Sequence, residues 1–304
     1  MTPELSIVIC TFNRSALLRQ CIRGVLEQTV AGDRLELVVV DNKSTDDTAS
    51  VAEEFRGRAV NLKYVFEGVQ GLSRARNRGV KTATAPVAAF IDDDAIPYPD
   101  WAERLLEAIE KFPEAAIIGG ESEPLFESER PAWLDDDLLQ SYSCGLHYSD
   151  DYHFCEGPEW LLECNLAYRL NALKAAGGFP EELGRKGNLL LSGDGAVNSV
   201  IVNSGGRMLY TPFAKVRHLV PESRLNTKWI ARRRFWGGVT RCVEDDYLKR
   251  EIGQTPPWRD ALLPCRVTEW EALVNLEPDD RLKHNLLRIY HLGYLLAKTG
   301  MITT

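Results

Sequence analysis

Three consecutive carboxylates, Asp92, Asp93 and Asp94, follow the apolar run 87–91. Side chains alternate along a strand, so Asp92 and Asp94 share a side while Asp93 points away. Carboxylates this close repel one another, and a divalent cation relieves the repulsion. Hard oxygen ligands suit Mg2+ or Mn2+, ions that bridge carboxylate and phosphate oxygens. The competing reading is a solvated acidic turn with Asp93 or Asp94 capping the next helix. Polar residues close other apolar runs as well: Thr11-Phe12-Asn13-Arg14, Asp41-Asn42, and Glu67 ahead of the turn at Gly71. Asp41 can accept from a base N–H or a ribose hydroxyl, and Arg74, Arg76 and Asn77 can meet phosphate or base edges. Together these residues suit a nucleoside diphosphate held without a glycine-rich loop. Neither G-x-G-x-x-G nor G-x-x-x-x-G-K-[ST] occurs, which argues against a dinucleotide enzyme and a P-loop NTPase.

The elements that must position these residues are legible from their periods. Residues 5–10, 35–40, 62–66, 87–91 and 115–119 read as strands, and 15–28, 47–55, 71–81 and 101–111 as helices. Ser44, Thr45 and Asp46 offer a cap to the second helix. The alternation predicts an α/β fold with a mainly parallel sheet covered on both faces, and ligands at the carboxyl ends of its strands. Beyond residue 120 the pattern is less regular. Residues 121–163 hold twelve acidic residues against Arg130, whereas 215–250 hold ten Lys/Arg against four acidic residues. Residues 279–298 read as a terminal helix striped by Leu282, Leu286, Ile289, Leu292 and Leu296, after breaks at Pro256-Pro257 and Pro264.

Composition narrows the function classes. The chain has 304 residues and a net charge of −8, enough for a large core and too acidic for general nucleic-acid binding. Its seven cysteines include no C-x-x-C pair, so reduced thiols in a cytoplasmic protein are expected rather than a disulfide framework or zinc ribbon. Cys10 and Cys21 read as small core residues, while Cys155 and Cys164 share a loop-rich region. The first residues lack the basic and apolar regions of a signal peptide. No apolar run approaches the ~20 residues of a membrane span; peripheral membrane association stays open.

SIVICTFNR, VVVDNKSTDDT, GLSRARNRG, FIDDDAIPYPDW and ECNLAYRLNALKAAGGFPEELG together resemble family 2 glycosyltransferases of the GT-A fold, from about Leu5 to about His218. The resemblance implies transfer of a sugar from a nucleotide-sugar donor, usually UDP-linked, with a divalent metal and inversion at the anomeric carbon. It places the family's Asp-x-Asp metal motif on Asp92 and Asp94, and its nucleoside-binding residues on Thr11, Asn13, Asp41 and Arg76. It implies a donor half over residues 1–120, an acceptor half over 121–218 and a helical extension over 219–304. A saccharide or lipid-linked acceptor is the expected partner, and no nucleic acid.

Transfer with inversion needs a carboxylate to take the acceptor proton. The family's Glu-Asp pair falls on Gly193-Asp194, so Asp194 matches the aspartate while glycine replaces the glutamate. The alternative is that Asp194 only caps the helix beginning near Ala196. His218 follows the strand 214–217; in several families of this fold such a histidine joins the metal shell, which would favour Mn2+ over Mg2+. Trp229, Arg233 and Trp236 neighbour one another on a helix. They read as a site for donor phosphates or an anionic acceptor, as a membrane-surface helix, or as tryptophans on the core with solvated arginines; the last is preferred. Trp133, Tyr142, Tyr148, Tyr152 and Trp160 are candidates to stack on an acceptor sugar. The rival functions are a sugar-1-phosphate nucleotidyltransferase and a non-catalytic nucleotide-sugar-binding protein.

Overall fold

Four β-branched runs become parallel strands with their carboxyl ends at one edge. In the computed structural model, which describes residues 2–58, 60–187, 189–253, 276, 278, 279 and 281–302, they are β1 (Leu5–Thr11), β2 (Leu35–Asp41), β3 (Asn61–Phe66) and β4 (Val87–Asp92). The register sets Thr11 opposite Asp41 and Cys10 opposite Asp92. The helices between them are α1 (Ser15–Leu26), α2 (Thr48–Glu54) and α3 (Leu72–Thr82), and α4 (Trp101–Lys111) follows. Alternation sorts each strand into two layers. Leu5, Ile7 and Ile9 of β1, with Leu35, Leu37 and Val39 of β2, pack under α1, α2 and α4; Val8, Val38 and Val40 pack on the opposite face with Ala75 and Val80 of α3. The N-cap of α2 is Asp47 rather than Ser44, Thr45 or Asp46, and the preceding Asp46 accepts from the Thr48 N–H at 3.1 Å through Oδ1.

The second half completes the sheet with β5 (Ala95–Pro97), β6 (Ala115–Phe126), β7 (His153–Phe154), β8 (Asn165–Arg169) and β9 (Arg207–Val220). The order is β3-β2-β1-β4-β8-β6-β9-β5, with β7 also on β9. β8 lies antiparallel between β4 and β6, so the parallel order of the first half gives way to mixed pairing. The strand expected at 115–119 runs on to Phe126 because β9 pairs with it in parallel as far as Val220. Helices α5 (Asp136–Leu139), α6 (Leu170–Ala175) and α7 (Asp194–Asn203) complete this half.

A third apolar cluster lies beneath the last two helices, α8 (Thr227–Ile252) and α9 (Leu282–Lys298). It joins Leu134, Leu138 and Tyr142 to Val220, Ile230, Leu286 and Ile289. Asn226 starts α8 by accepting the Trp229 N–H at 2.9 Å, and Gly253 ends it at φ +66°. The two helices cross so closely that a Cβ on Gly238 would sit 1.8 Å from the Tyr290 carbonyl oxygen. Pro256-Pro257 and Pro264 lie outside the described residues. Among the described residues, no helix is long and apolar enough to cross a membrane.

Candidate active site

The polar ends of β1 and β4 meet a cavity of about 330 Å3. β4 stops at Asp92, and Asp93 and Asp94 form the turn into β5. Strand alternation therefore does not extend through the triplet, yet the expected partition survives. Asp92, Asp94 and His218 each offer an atom within 4.8 Å of the others. Asp93 instead turns toward β1, accepting from the Thr11 hydroxyl at 2.7 Å and from Arg14 at 2.9 Å. It is not a solvated turn: Asp93 and Asp94 are 5% and 7% exposed. Register explains how His218 arrives, because β5 leaves the triplet directly and Ala95 pairs with His218 on β9.

His218 Nε2 lies 3.2 Å from Asp94 and 3.9 Å from Asp92, while Cys144 Sγ lies 3.9 Å from its Nδ1. Burial opposes charge on this ring, but Asp94 beside it raises the pKa to about 10. Burial likewise disfavours the charged form of Asp94, and its hydrogen bond and charge contact with His218 hold it below the ordinary carboxylate range. Asp93 is pushed up to about 6 by burial, against the pull of Arg14. Two carboxylates and an imidazole within one ion's reach are a donor set that fits Mn2+ or Mg2+.

Arg76 lies behind Asp92. It projects from α3, which packs so closely on β1 that a Cβ on Gly79 would meet Val8 at 2.5 Å. Arg76 is 3% exposed, lies 3.7 Å from Asp92 and bonds Asp194 Oδ1. The cavity wall includes Phe12, Arg14, Asn42, Arg76, Asp92–Asp94, Tyr142, Glu163, Arg185, His218, Arg224, Trp229 and Arg233.

Several expected residues sit elsewhere. Asp41 is not on the wall; it is 2% exposed, with its oxygens taken by Tyr64 Oη and the Ser44 N–H, each at 2.7 Å. Its neighbour Asn42 is on the wall instead and anchors the following loop by accepting from the Gly71 N–H at 2.8 Å. Asn13, at φ +53°, accepts from the Thr45 N–H at 2.7 Å, and Arg74 pairs with Glu181 at 2.8 Å; neither reaches the wall. Asp194 is 2% exposed and also off the wall. It does not cap α7, because the N-cap residue is Gly193 and Asp194 opens the first turn. Its Oδ2 has no hydrogen-bond donor. Burial raises its pKa well above the ordinary range, Arg76 opposes this, and the neighbouring Glu163 adds to it.

The preferred reading of α8 holds for Trp229, which packs on the third apolar cluster, and is corrected for Arg233. Trp229 stacks on Tyr142, with centroids 4.5 Å apart, and both line the cavity with Arg233. Arg233 donates to the Leu190 carbonyl at 3.2 Å, and burial lowers its pKa. It is drawn inward, not solvated, because α8 lies across the cavity rim. Tyr142 alone of the five proposed stacking aromatics reaches the wall: Tyr148 packs on Tyr210 and Tyr152 on Phe112. Cys10 is on the wall, Cys21 is core, and Cys164 lies beside Ser122 rather than Cys155. Among the described residues all cysteines are free. Of these charged wall residues, Arg185 was not anticipated from the sequence. Arg14 was readable as the charge closing the first strand, Arg224 as part of the basic segment and Glu163 as a carboxylate of the acidic stretch, but no period encodes the approach of their loops to the cavity.

Comparison with known proteins follows the same edge. Residues 6–139 match the family model described as Glycosyl transferase family 2. The glucosyl-dolichyl phosphate glucuronosyltransferase of Haloferax volcanii is 27% identical over 249 residues, 80% of this chain and 77% of that protein. The succinoglycan biosynthesis protein ExoM of Rhizobium meliloti is 27% identical over 257 residues, 79% of this chain and 74% of that protein. Among solved structures, the mannosyltransferase PcManGT of Pyrobaculum calidifontis, in complex with GDP-Man and Mn2+, superposes with a TM-score of 0.60 at 21% identity, covering 100% of this chain and 77% of that one. TarS of S. aureus, in complex with UDP, superposes with a TM-score of 0.56 at 14% identity, covering 98% and 92%. Residues 6–139 thus match glycosyl transferase family 2, and the chain is a glycosyltransferase built on the GT-A fold.

Proposed function

We propose that the enzyme transfers a sugar from a nucleotide-sugar donor, UDP-linked in the first instance, to a hydroxyl of a saccharide or lipid-linked acceptor, with inversion at the anomeric carbon. The observation that carries this reading is the convergence of Asp92, Asp94 and His218 on a cavity whose lining also bears Arg185, Arg224 and Arg233. Asp92, Asp94 and His218 would hold Mn2+ or Mg2+, the imidazole favouring Mn2+. When bound, the ion supplies Lewis-acid stabilisation of the leaving diphosphate. Arg224 and Arg233 add positive charge beside it in a desolvated site, where charge contacts are strong. Phe12 and Asn42 would flank the nucleoside, while Thr11, Asn13 and Asp41 hold the β1 and β2 ends that present them. Arg76 orients Asp92 from behind. Arg74, paired with Glu181, has an indirect part at most, through the start of α3.

In this reading residues 1–120 bind the donor, residues 121–218 the acceptor, and the C-terminal extension closes the cavity from above. The solved neighbours support the donor class, since one holds GDP-Man with Mn2+ and the other holds UDP. The test is thermal stabilisation by UDP-glucose, UDP-N-acetylglucosamine, UDP-glucuronic acid and GDP-mannose, each with Mn2+ and with EDTA. Binding only to the folded state raises the melting temperature with ligand concentration. A Mn2+-dependent rise with at least one donor is expected; equal rises in EDTA, or none with any donor, would sink the reading.

A further inference from the structure

Glu163 carries a carboxyl to the cavity wall that the family resemblance leaves without a role. It lies two residues before β8, and the carbonyl of the next residue, Cys164, accepts from the Asp92 N–H at 3.4 Å. That bond seats residue 163 next to the metal-facing end of β4. Asp194, the expected base, lies one layer further in. Arg76 occupies its Oδ1, its Oδ2 has no donor, and it does not reach the wall. The group beside it is the Glu163 carboxyl. Two abutting carboxyls can hydrogen-bond only if one is protonated, so a single proton held between them satisfies Asp194 Oδ2. The sequence adds an independent point: the glutamate of the family's Glu-Asp pair is Gly193 here, so position 193 supplies no carboxyl to this corner.

We infer that Glu163 is the catalytic residue that takes the acceptor proton, and that Asp194 is a positioning residue that holds it. This rests on the function proposed above. In the step, the acceptor O–H bond breaks and its proton passes to a Glu163 oxygen. The acceptor oxygen forms the bond to the anomeric carbon. The bond from that carbon to the phosphate oxygen breaks, and its electron pair leaves with the nucleoside diphosphate. Asp194, protonated on Oδ2 and bound by Arg76 on Oδ1, donates to Glu163 throughout and exchanges no proton with the substrate. Arg233 also lines the cavity, and its guanidinium lies within reach of the Glu163 charge.

The test uses the full chain with Mn2+ and the four nucleotide sugars named above, with water as the acceptor hydroxyl and nucleoside diphosphate release as the readout. Glu163→Gln should lower turnover by ~10²–10⁴-fold, the size of a general-base contribution. Its melting temperature and its Mn2+-dependent affinity for UDP, by calorimetry, should stay at wild-type values. Asp194→Asn keeps an N–H donor toward Glu163 and should lose less. Turnover of Glu163→Gln within tenfold of wild type overturns the assignment. So does weakened UDP binding in that variant, or an Asp194→Asn loss as large as the Glu163→Gln loss. Failure of the wild-type protein to bind any of the donors would instead refute the proposed function, which separates the two readings.

Discussion

At the scale of single residues, the candidate site is held by charge pairs. Asp94 faces His218, Arg14 and Arg224 at 3.2, 2.9 and 3.7 Å, so its removal frees a cation cluster as well as breaking up the proposed metal-holding group. Asp94→Ala should abolish Mn2+-dependent UDP binding in calorimetry while the far-UV circular dichroism stays native. Retained binding with the same Mn2+ dependence would remove Asp94 from the metal site. Asp41 makes the opposite case. Its carboxylate serves Tyr64 and Ser44, and deleting it leaves two donors without their acceptor. Asp41→Ala should therefore cost about 1–3 kcal/mol in urea unfolding. Asn42→Ala should weaken UDP binding more than Asp41→Ala does, because Asn42 is the wall residue; the reverse ranking would restore Asp41 as the nucleoside contact.

At the scale of elements, two helix contacts decide the shape of the site. The α8–α9 crossing admits no side chain at Gly238, and a Cβ on Gly293 would lie 2.1 Å from the Phe235 carbonyl oxygen. Gly238→Ala should destabilise the protein by ~1–3 kcal/mol, since overpacking forces backbone shifts. An unchanged denaturation midpoint would show that the helices can part. The α7–α8 contact has a pH signature. Glu244 of α8 lies where a Cβ on Gly195 would come within 2.8 Å of its carboxylate. Burial raises its pKa from the usual 4.5 to about 8, against the pull of Arg241. The folded state therefore binds this proton more tightly than the unfolded chain does. Stability from this group is full below pH 4.5 and is lost as pH rises through about 8. Glu244→Gln should remove that loss, so its melting temperature should gain on wild type between pH 5 and pH 9, as the linkage requires. Parallel pH profiles for the two proteins would contradict the burial argument.

At the scale of the whole molecule, the C-terminal helices share one apolar cluster with residues 134–144 instead of forming a separate body. Leu134, Leu138, Leu139 and Tyr142 pack with Ile230, Leu286 and Ile289, and Trp229 and Arg233 complete the cavity. A chain truncated after Asn226 should expose that cluster, bind the dye ANS and melt with less cooperativity. A truncated chain with the same melting temperature and no dye binding would make α8 and α9 an independent appendage.

The strands and helices of residues 5–119, except the short β5, were legible because apolar period alone sorts their side chains into layers: Ile7 and Ile9 to one face of the sheet, Val8 to the other. The polar residues closing β1 and β4, and the ordered motifs around them, were enough to locate the edge where the cavity lies and the Asp92–Asp94 pair beside it. Pairing across the chain was not legible, because register between distant strands is settled by long-range contacts. The antiparallel insertion of β8, the Ala95–His218 register that brings the imidazole to Asp94, and the turn of Arg233 into the cavity are all of this kind. Burial separates chemically equivalent carboxylates in the same way. In the sequence Asp41 and Asp194 look as available as Asp92, and Glu163 looks like one more charge in an acidic stretch. In the folded protein Asp41 and Asp194 are enclosed at 2% exposure, while Glu163 lines the cavity. Residue type and local period follow from neighbours along the chain; which carboxylate faces substrate depends on what packs over it, and only the tertiary structure decides that.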